Sequence, residues 1–440
     1  MSLNIINKLK FKIKTNDLFG RITNGLFWVT IGNVSSKFLM LLSFVFVARN
    51  IGKEAYGELG IVRSTLTMFF TLASLGLGMT ASKYISIYRL SEKNKVLKIF
   101  KFSSYSSLFF GVVFSTFLFL SSEYVANKSL SNDNLEVLLK LGSISILFNA
   151  INSTFSGTLI GLEDFKTNGL VNLFSGLIQF LLIIIGLYLY DSIGVILALS
   201  INSLITFIIY LLLLLKKHSF DLNFKRNEVF DHETKQIFLN FSLPSVFLSL
   251  LQLPVLWFVK LILTRQAGFG ALADFDVAEQ WYMILLFLPN TINSILLPIL
   301  SSLNVSQKEN DFSKVLKLSL ILNFSLTLLF TIFIYFLSPY VFSFYGNEFT
   351  NFETLNIMSI ATIFSSLSNV FVQIFASKGK MWFGFMTNIF WAVVLISFSV
   401  YFINYLKFGS LGLAYSMVIS NVLLFIVQFL SYKFIYNTLK

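Results

Sequence analysis

The sequence predicts an all-α polytopic membrane protein with about twelve transmembrane helices, and three observations support this fold class. First, 56% of the 440 residues are hydrophobic and only 12% are charged, whereas a soluble domain carries roughly 25% charged residues. Second, apolar runs of about 20 residues, the length that a helix needs to cross a bilayer core, recur along the whole chain. Third, Lys and Arg are concentrated in alternate connections between these runs, which is typical of multi-pass membrane proteins.

The apolar runs divide the chain into two groups of six. The gap between the groups, 216–236, is hydrophilic and too short to hold a soluble domain. We therefore interpret it as a cytoplasmic linker between an N-terminal six-helix bundle (25–215) and a C-terminal six-helix bundle (237–440). Residues 1–24 are basic and are predicted to form a cytoplasmic N-terminal segment. The predicted spans are 25–47, 59–82, 102–122, 137–160, 168–190, 192–215, 237–262, 276–300, 316–338, 354–376, 381–404 and 410–436.

The distribution of basic residues predicts the orientation of the chain. With the N-terminus inside the cell, most of the 33 Lys and Arg residues fall in inside segments, as the positive-inside rule requires. An odd number of spans would break this alternation, so both termini are predicted to be cytoplasmic. The outside loops hold only Arg49, Lys53, Lys128, Lys140, Arg265 and Lys407.

Composition excludes several classes of function. The chain has no cysteine, and its two histidines, His218 and His232, fall in one hydrophilic loop, so a thiolate nucleophile and a buried histidine relay are excluded. The net charge of +12 is explained by basic cytoplasmic loops and does not indicate nucleic-acid binding. We expect no cleavable signal peptide and no resident cofactor. Whether a proton or a sodium ion is coupled to transport stays open.

A short pattern recurs in the two halves. Arg49 and Gly52 follow the first span, and Arg265 and Gly268 follow the seventh, at one offset of 216 residues. The same offset superposes the start of span one on the start of span seven. Because each half has an even number of spans, such a repeat would be parallel, with its axis along the membrane normal.

Three basic residues lie within predicted spans, where a charge is expensive. Lys37 is near the middle of span one, Arg63 is about one turn into span two, and Lys260 is near the end of span seven. A charge at the bilayer centre costs at least ~2.5–3.5 kcal/mol, and no carboxylate is equally deep in the first six spans. We therefore predict a water-filled cavity of positive potential, suited to an anionic substrate and lined by Lys37, Arg63, Lys260 and Asn33, which lies one turn before Lys37 on the same helix face.

Structural roles for these charges stay open beside the cavity interpretation. Lys37 could extend its amine toward the headgroups, Arg63 could pair with Glu58, and Lys260 could pair with Glu279 or Asp276. Glu279 is itself a candidate for a coupling-ion site or for an ion pair.

Uncharged polar residues at helical spacing mark one face of several other spans. Such residues either line a cavity, where amides and hydroxyls suit sugar hydroxyls, or hold helices together, and both interpretations remain open. The candidates for cavity lining are Thr67, Asn152, Gln179, Gln252 and Asn369.

The connection between spans one and two carries a family resemblance. Residues 27–33 and the segment 47–57, which reads VARNIGKEAYG, are similar to the start of the polysaccharide-unit (O-antigen/oligosaccharide, Wzx-type) flippases. These flippases belong to the multidrug/oligosaccharidyl-lipid/polysaccharide exporter (MOP) superfamily. Further similar positions are Gly76, Leu77 and Gly78, then Gly157 and Gly161, and the prolines Pro289 and Pro298 of span eight.

The resemblance implies a fold and a function. It implies two six-helix bundles in a V-shaped, MATE-like arrangement that works by alternating access. The implied substrate is an undecaprenyl-pyrophosphate-linked oligosaccharide, flipped from the cytoplasmic to the outer leaflet of the bacterial inner membrane. It further implies a monomer that serves surface-polysaccharide biosynthesis beside glycan polymerases and glycosyltransferases.

Within this family, basic residues from early spans of both halves lie in the central cavity. Lys37 and Arg63 match those regions, and Lys260 matches less closely. Ala273 and Glu279 depart from the family pattern in the second half.

Four other functions have requirements of their own. A multidrug cation exporter of the same superfamily would need an embedded acid in the first bundle, and none is present. A flippase for the peptidoglycan lipid precursor has the same general requirements and is distinguished only by its substrate. An integral-membrane glycan polymerase or ligase would need a large external loop with catalytic groups. A membrane scaffold would not need deeply placed charges.

Overall fold

The computed structural model describes residues 27–28, 30–90, 92–218, 220, 243–305, 309–378 and 380–437, and these residues are almost entirely helical. The predicted N-terminal segment 1–24 and most of the predicted linker 216–236 lie outside the described residues. The helices are α1 (Thr30–Ile51), α2 (Lys53–Ser74), α3 (Leu77–Tyr88), α4 (Lys93–Tyr124), α5 (Leu135–Gly161), α6 (Phe165–Lys217), α7 (Leu243–Leu285), α8 (Phe287–Val305), α9 (Glu309–Tyr345), α10 (Glu353–Ser377), α11 (Met381–Val400) and α12 (Gly409–Asn437).

Ten helical stretches among the described residues are long and apolar enough to cross a membrane. One of them, α6, has 53 residues and would be about 80 Å long if it were straight, far more than a bilayer core of roughly 30 Å. Its backbone breaks at Tyr190 and Asp191, where Asp191 has φ 46°. Glycines 186 and 194 face each other across this break so closely that a Cβ on either would overlap the backbone of the other. The helix therefore folds back as two antiparallel spans, at the predicted boundary between spans five and six.

The halves of the chain share a second kind of break. Gly52 separates α1 from α2 with φ 81°, and Gly268 divides α7 with φ 83°. These glycines are the pair that the offset of 216 residues matches, so the repeat seen in the sequence has the same positive φ at this position in both halves. Positive φ is accessible to glycine without steric cost, which explains why both breaks use it.

The prediction that loops surround these two glycines is wrong. Residues 48–58 and 263–275 were expected to connect spans, but they are helical except at the glycine itself. Backbone hydrogen bonds continue across the first break, from the Gly52 N–H to the Ala48 carbonyl at 3.2 Å and from the Tyr56 N–H to the Gly52 carbonyl at 3.1 Å. A helix can therefore change direction here without leaving its backbone groups unpaired, which the apolar surroundings require. The breaks divide α6 and α7 into two arms each. If α2 and α3 are counted as one span, and the second arm of α7 together with α8 as another, the described residues form twelve spans.

The residues form two compact units. The first contains the described parts of Met1–Val47 and Glu136–Phe247 together with Leu66–Glu123, and the second contains Ala48–Thr65, Tyr124–Leu135 and the described part of Leu248–Lys440. Two segments of the N-terminal half thus pack with the C-terminal half. The domain limits 25–215 and 237–440 remain predictions.

Each unit has an aromatic core. In the first unit Phe100 stacks near Phe220, with ring centroids 4.6 Å apart, and Phe155 lies parallel to Phe207 at 5.8 Å. In the second unit the fully buried Phe371 contacts Phe425 and Phe429. These cores hold the helices that carry the polar residues described below.

Asp164 fixes the connection between α5 and α6. Its carboxylate caps α6 by accepting the Thr167 N–H at 3.3 Å, and it pairs with Lys217 Nζ at 2.6 Å and His218 Nε2 at 3.0 Å. Burial raises the pKa of this carboxyl, but the hydrogen bonds from Lys217, Thr167 and His218 outweigh burial and hold the pKa below its usual value. Asp164 therefore links the connection between α5 and α6 to the C-terminal end of α6.

Replacing Gly268 with Ala tests whether the second break depends on glycine. No atom lies within 4 Å of a Cβ at this position, so only the backbone conformation opposes the change. Gly268→Ala should lower the free energy of unfolding by about 1–3 kcal/mol, measured as a lower Tm of the detergent-purified protein. Gly384→Ala is the matched control, because its site is equally open but lies inside α11, where Ala should add about 0.5–1 kcal/mol. Equal effects of the two substitutions would contradict this explanation of the break.

Candidate functional site

Lys260 is at the centre of a buried ion cluster. It lies on the first arm of α7 with 5% of its surface exposed. Its Nζ is 2.9 Å from Asp276 Oδ1 and 2.6 Å from Glu279 Oε2, and both carboxylates are on the second arm of the same helix. Of the interpretations left open for Glu279, the ion pair is therefore present in the structure.

The cluster changes the charge that Lys260 can present. Two carboxylates within hydrogen-bonding distance compensate its single positive charge, as burial of a charge requires. These contacts give no support to Lys260 as an anion-binding residue. The assignment of Lys260 as an anion-binding residue stays a prediction, and the ion pair is a simpler explanation for a lysine at this position.

Arg63 lies in a different polar environment, on α2 and half-buried. It contacts the hydroxyl of Tyr56, two helical turns earlier, and lies near Tyr345. Gln280 links these tyrosines, since its Nε2 donates to the Tyr56 hydroxyl at 2.6 Å and its Oε1 accepts from the Tyr345 hydroxyl at 3.4 Å. Both tyrosines are fully buried, and Arg63 and Asp276 each interact electrostatically with Tyr56.

Lys37 and Asn33 have different surroundings although they share a face of α1. Lys37 is exposed, whereas Asn33 is half-buried and accepts a hydrogen bond from Asn172 Nδ2 of α6 at 2.9 Å. Asn172 in turn accepts the Tyr210 hydroxyl at 3.1 Å. Asn33 therefore belongs to a polar network that joins helices of the first unit.

The other predicted polar residues fall into two groups. Asn152 donates to the Ser203 carbonyl at 2.9 Å, Gln179 accepts from Asn202 at 3.4 Å, and Asn369 donates to Asn290 at 3.0 Å, so these three bond to neighbouring helices. Such bonds favour the helix-packing interpretation for them. Thr67 and Gln252 are exposed, and their role in lining a cavity stays a prediction.

Sequence reasoning missed the residues that surround Arg63. Gln280 and Tyr345 are uncharged and nothing in the local sequence marks them, while Tyr56 belongs to the segment 47–57 but was not predicted to contact Arg63. A usable signal was present in the repeat, because the offset of 216 residues places Arg63 opposite Glu279. Opposite charges at equivalent positions indicate where the two halves have diverged. Among the described residues, no group of three or more His, Asp or Glu side chains could hold a metal ion.

Comparison with known proteins places this geometry in a family. The model of the family described as "Polysaccharide biosynthesis protein" matches residues 22–304, which is more than half of the chain. The chain belongs to this family. The resemblance inferred from the segment 47–57 is thereby confirmed at the level of the family.

Two curated relatives illustrate the match. The EPS I polysaccharide export inner membrane protein EpsE of Ralstonia solanacearum is 27% identical over 198 residues, which cover 44% of this chain and 45% of that protein. The matched region therefore covers less than half of the length of this relative. A putative O-antigen transporter of Salmonella typhi is 21% identical over 400 residues, covering 87% of this chain and 89% of that protein.

Solved structures show the same fold. The inward-facing conformation of a multidrug resistance MATE family transporter of the MOP superfamily superposes with a TM-score of 0.79 at 15% identity, covering 92% of this chain and 95% of that one. A MOP superfamily transporter from Pyrococcus furiosus, whose title notes a reversed polarity of the binding pocket, gives a TM-score of 0.73 at 16% identity and covers 94% and 95% of the two chains. The predicted all-α, MATE-like fold is confirmed.

The ion cluster predicts an asymmetric effect of substitution. Lys260→Ala leaves Asp276 and Glu279 buried without their cation, which should cost about 3–5 kcal/mol and lower the Tm measured in detergent. Lys314→Ala is the control, because Lys314 pairs with Asp311 at 3.8 Å with 80% of its side chain exposed, and exposed pairs contribute about 0–1 kcal/mol. A Tm of Lys260→Ala equal to that of the control would show that the cluster is hydrated.

Proposed function

We propose that this family member is a flippase that moves an undecaprenyl-pyrophosphate-linked oligosaccharide from the cytoplasmic to the outer leaflet of the bacterial inner membrane. Its termini are cytoplasmic, it acts as a monomer, and the glycan serves surface-polysaccharide biosynthesis. Support comes from membership in the family and from the names of the curated relatives, which are an exopolysaccharide export protein and a putative O-antigen transporter.

One observation carries the choice of an anionic substrate. The carboxylates nearest to the second-half basic residue are engaged by Lys260 itself, while Arg63 contacts a tyrosine hydroxyl that carries no charge at neutral pH. Arg63 is a half-buried basic residue of α2 and Lys37 is an exposed basic residue of α1, and we propose that both present positive charge to the substrate. A guanidinium suits the oxygens of a pyrophosphate because it can donate two parallel hydrogen bonds.

The proposed mechanism uses the basic and polar residues that the sequence predicts for the cavity. The pyrophosphate replaces its water shell with Lys37 and Arg63, the sugars occupy the polar-lined space, and the polyprenyl tail stays in lipid. Moving one negative charge outward across an inside-negative potential releases about 2.3 kcal/mol per 100 mV, so the membrane potential assists export. A proton or sodium ion can be coupled to the same movement.

The multidrug-exporter alternative is less well supported. A binding site for a cationic drug favours an embedded acid, and the described carboxylates of the first six spans lie within about two turns of a helix end or at a connection, as Glu58, Asp164 and Asp191 do. The peptidoglycan-precursor alternative shares the pyrophosphate and differs in the sugar. Complementation of a strain depleted of its peptidoglycan flippase distinguishes it.

The two cations give the direct test of this proposal. Lys37→Ala and Arg63→Ala should each abolish surface-polysaccharide export, measured by immunoblot of the surface glycan at equal membrane levels of the variants. Each substitution removes a charge that stabilises the pyrophosphate away from water. Arg63→Lys should reduce export less than Arg63→Ala does if charge contributes more to binding than bidentate hydrogen-bond geometry.

Lys314→Ala is the control for charge alone, because it removes one positive charge from an exposed position. Export at the wild-type level by the Lys37→Ala/Arg63→Ala double variant would refute the cationic site.

A further inference from the structure

A groove of about 590 Å³ runs between α9 and α10 of the second compact unit, and Tyr415 of α12 also lines it. The two helices follow each other in antiparallel directions. They are joined at the groove by the Thr331 hydroxyl, which donates to the Ser359 carbonyl at 3.0 Å. Ile332 and Phe336 of α9 line the groove and are exposed, so its wall on this side is apolar and open.

The groove opens on the side of α10 that faces away from α8. Ile360 of α10 lines the groove and is exposed, whereas Asn369, nine residues later, bonds to Asn290 of α8 at 3.0 Å. Nine residues correspond to about two and a half turns of an α-helix, so Ile360 and Asn369 lie on opposite faces of α10. Because exposed Ile and Phe side chains are poorly accommodated by water, the medium that meets this groove is lipid.

The groove is polar at one end and apolar at the other. Glu353 lines it at the start of α10, directly before the predicted start of span ten at 354. Asn356 lies about one turn further along the helix, and Ile360 lies about 10 Å from Glu353 along the helix axis. This length fits within one leaflet of a hydrocarbon core roughly 30 Å thick. The groove thus has the polarity of a membrane lipid, with the polar group at the boundary and the apolar part below it.

The polar residues of the groove combine one negative charge with aromatic rings. Of the described residues that line it, Glu353 alone is charged, and no described basic residue pairs with it. The rings of Tyr335, Phe352 and Tyr415 line the same groove. A carboxylate beside aromatic faces attracts an ammonium group, because the ring faces carry partial negative charge.

The tyrosines add hydrogen-bond donors at the polar end. The ring centroid of Tyr415 is 6.0 Å from that of Phe402 and 6.4 Å from that of Phe408, and these contacts hold it in place. The hydrogen bond between α9 and α10 places Tyr335, one turn nearer the connection, level with the first turn of α10. Phenolic hydroxyls at this level can donate to the oxygens of a phosphate.

Asn356 adds a second acceptor beside Glu353. Its Oδ1 is buried and has no hydrogen-bond partner among the described residues. Turning the amide toward the groove therefore breaks no hydrogen bond of this oxygen, which can then accept from an N–H group held by Glu353. The polar end thus offers acceptors for an ammonium and donors for a phosphate.

We propose that this groove is a binding site for phosphatidylethanolamine. The headgroup ammonium binds Glu353 and Asn356, the phosphate accepts hydrogen bonds from Tyr335 and Tyr415, and one acyl chain lies along the apolar wall. A primary ammonium brings three N–H donors to these acceptors, whereas an anionic lipid brings like charge to Glu353. With the termini cytoplasmic, as proposed above, the lipid belongs to the outer leaflet. The site does not depend on which substrate the protein transports.

Photocross-linking of the purified protein in detergent micelles tests the site. The probes are phosphatidylethanolamine and phosphatidylglycerol with the same diazirine-labelled acyl chain, and mass spectrometry identifies the labelled peptides. We expect phosphatidylethanolamine to label peptides containing 331–336 and 353–360 at least tenfold more than phosphatidylglycerol does. Glu353→Gln keeps the shape of the side chain and removes its charge, so it should reduce this labelling to the level of phosphatidylglycerol.

Glu136→Gln is the matched control. Glu136 is also in the first turn of a helix, α5, but it pairs with Lys140 and does not line the groove. Labelling of this variant should equal that of wild type, which separates the lipid site from a general effect of an acidic group near a helix N-terminus. Ile360→Trp fills the apolar part of the groove while keeping Glu353, and it should also reduce labelling by phosphatidylethanolamine at least tenfold.

Three results would overturn the lipid site. The first is equal labelling of the groove peptides by the two lipids in wild type. The second is wild-type labelling of Glu353→Gln, and the third is labelling spread evenly over all spans, as lipid without a specific site would give. None of these results bears on export, so the proposed function is tested separately by the Lys37 and Arg63 variants.

Discussion

The constraint on which the structure depends is that a charge within a bilayer must be compensated where it lies. Lys260 meets this constraint within one helix, because the break at Gly268 turns the second arm of α7 so that Asp276 and Glu279 reach its amine. Arg63 lies beside a network of tyrosine and glutamine groups, because its guanidinium bonds to the Tyr56 hydroxyl that Gln280 also holds. The same constraint thus accounts for the ion pairs of Lys260 and for the polar surroundings of Arg63.

The glycine breaks connect this electrostatic arrangement to the architecture. Gly52 and Gly268 have nearly equal positive φ values, and each redirects a helix, at Gly52 with hydrogen bonds that continue across the break. The redirected arms meet at Gly57 and Gly60, where only a bare backbone permits contact with Phe269 and Asp276. Local backbone freedom at a few glycines therefore places the ion cluster, the arginine network and the contact between repeats at one level of the second unit.

Much of the fold could be predicted from the sequence, because apolar length and the positions of Lys and Arg report directly on bilayer crossing. The boundary at Tyr190–Asp191 and the repeated glycine pattern are examples. The sequence could not show that the segments around Gly52 and Gly268 are helical, since charged residues such as Lys53 and Glu54 are typical of loops as well as of helix ends. It also could not show that Lys260 is neutralised, because Asp276 and Glu279 are brought to it only by the change of direction at Gly268. Asn33 and Asn152 illustrate a third limit: the helical spacing of an amide does not reveal whether it bonds to a neighbouring helix.

The central claim is that positive charge retained in the polar interior selects a negatively charged lipid-linked sugar. Its most direct test is the rate of transbilayer movement in proteoliposomes for one oligosaccharide carried on polyprenyl pyrophosphate and on the corresponding uncharged polyprenyl ether. The account predicts rapid, protein-dependent movement of the pyrophosphate-linked sugar, accelerated by a potential that is negative on the side of origin, and little movement of the ether-linked sugar. Equal protein-dependent rates for the two lipids would contradict it.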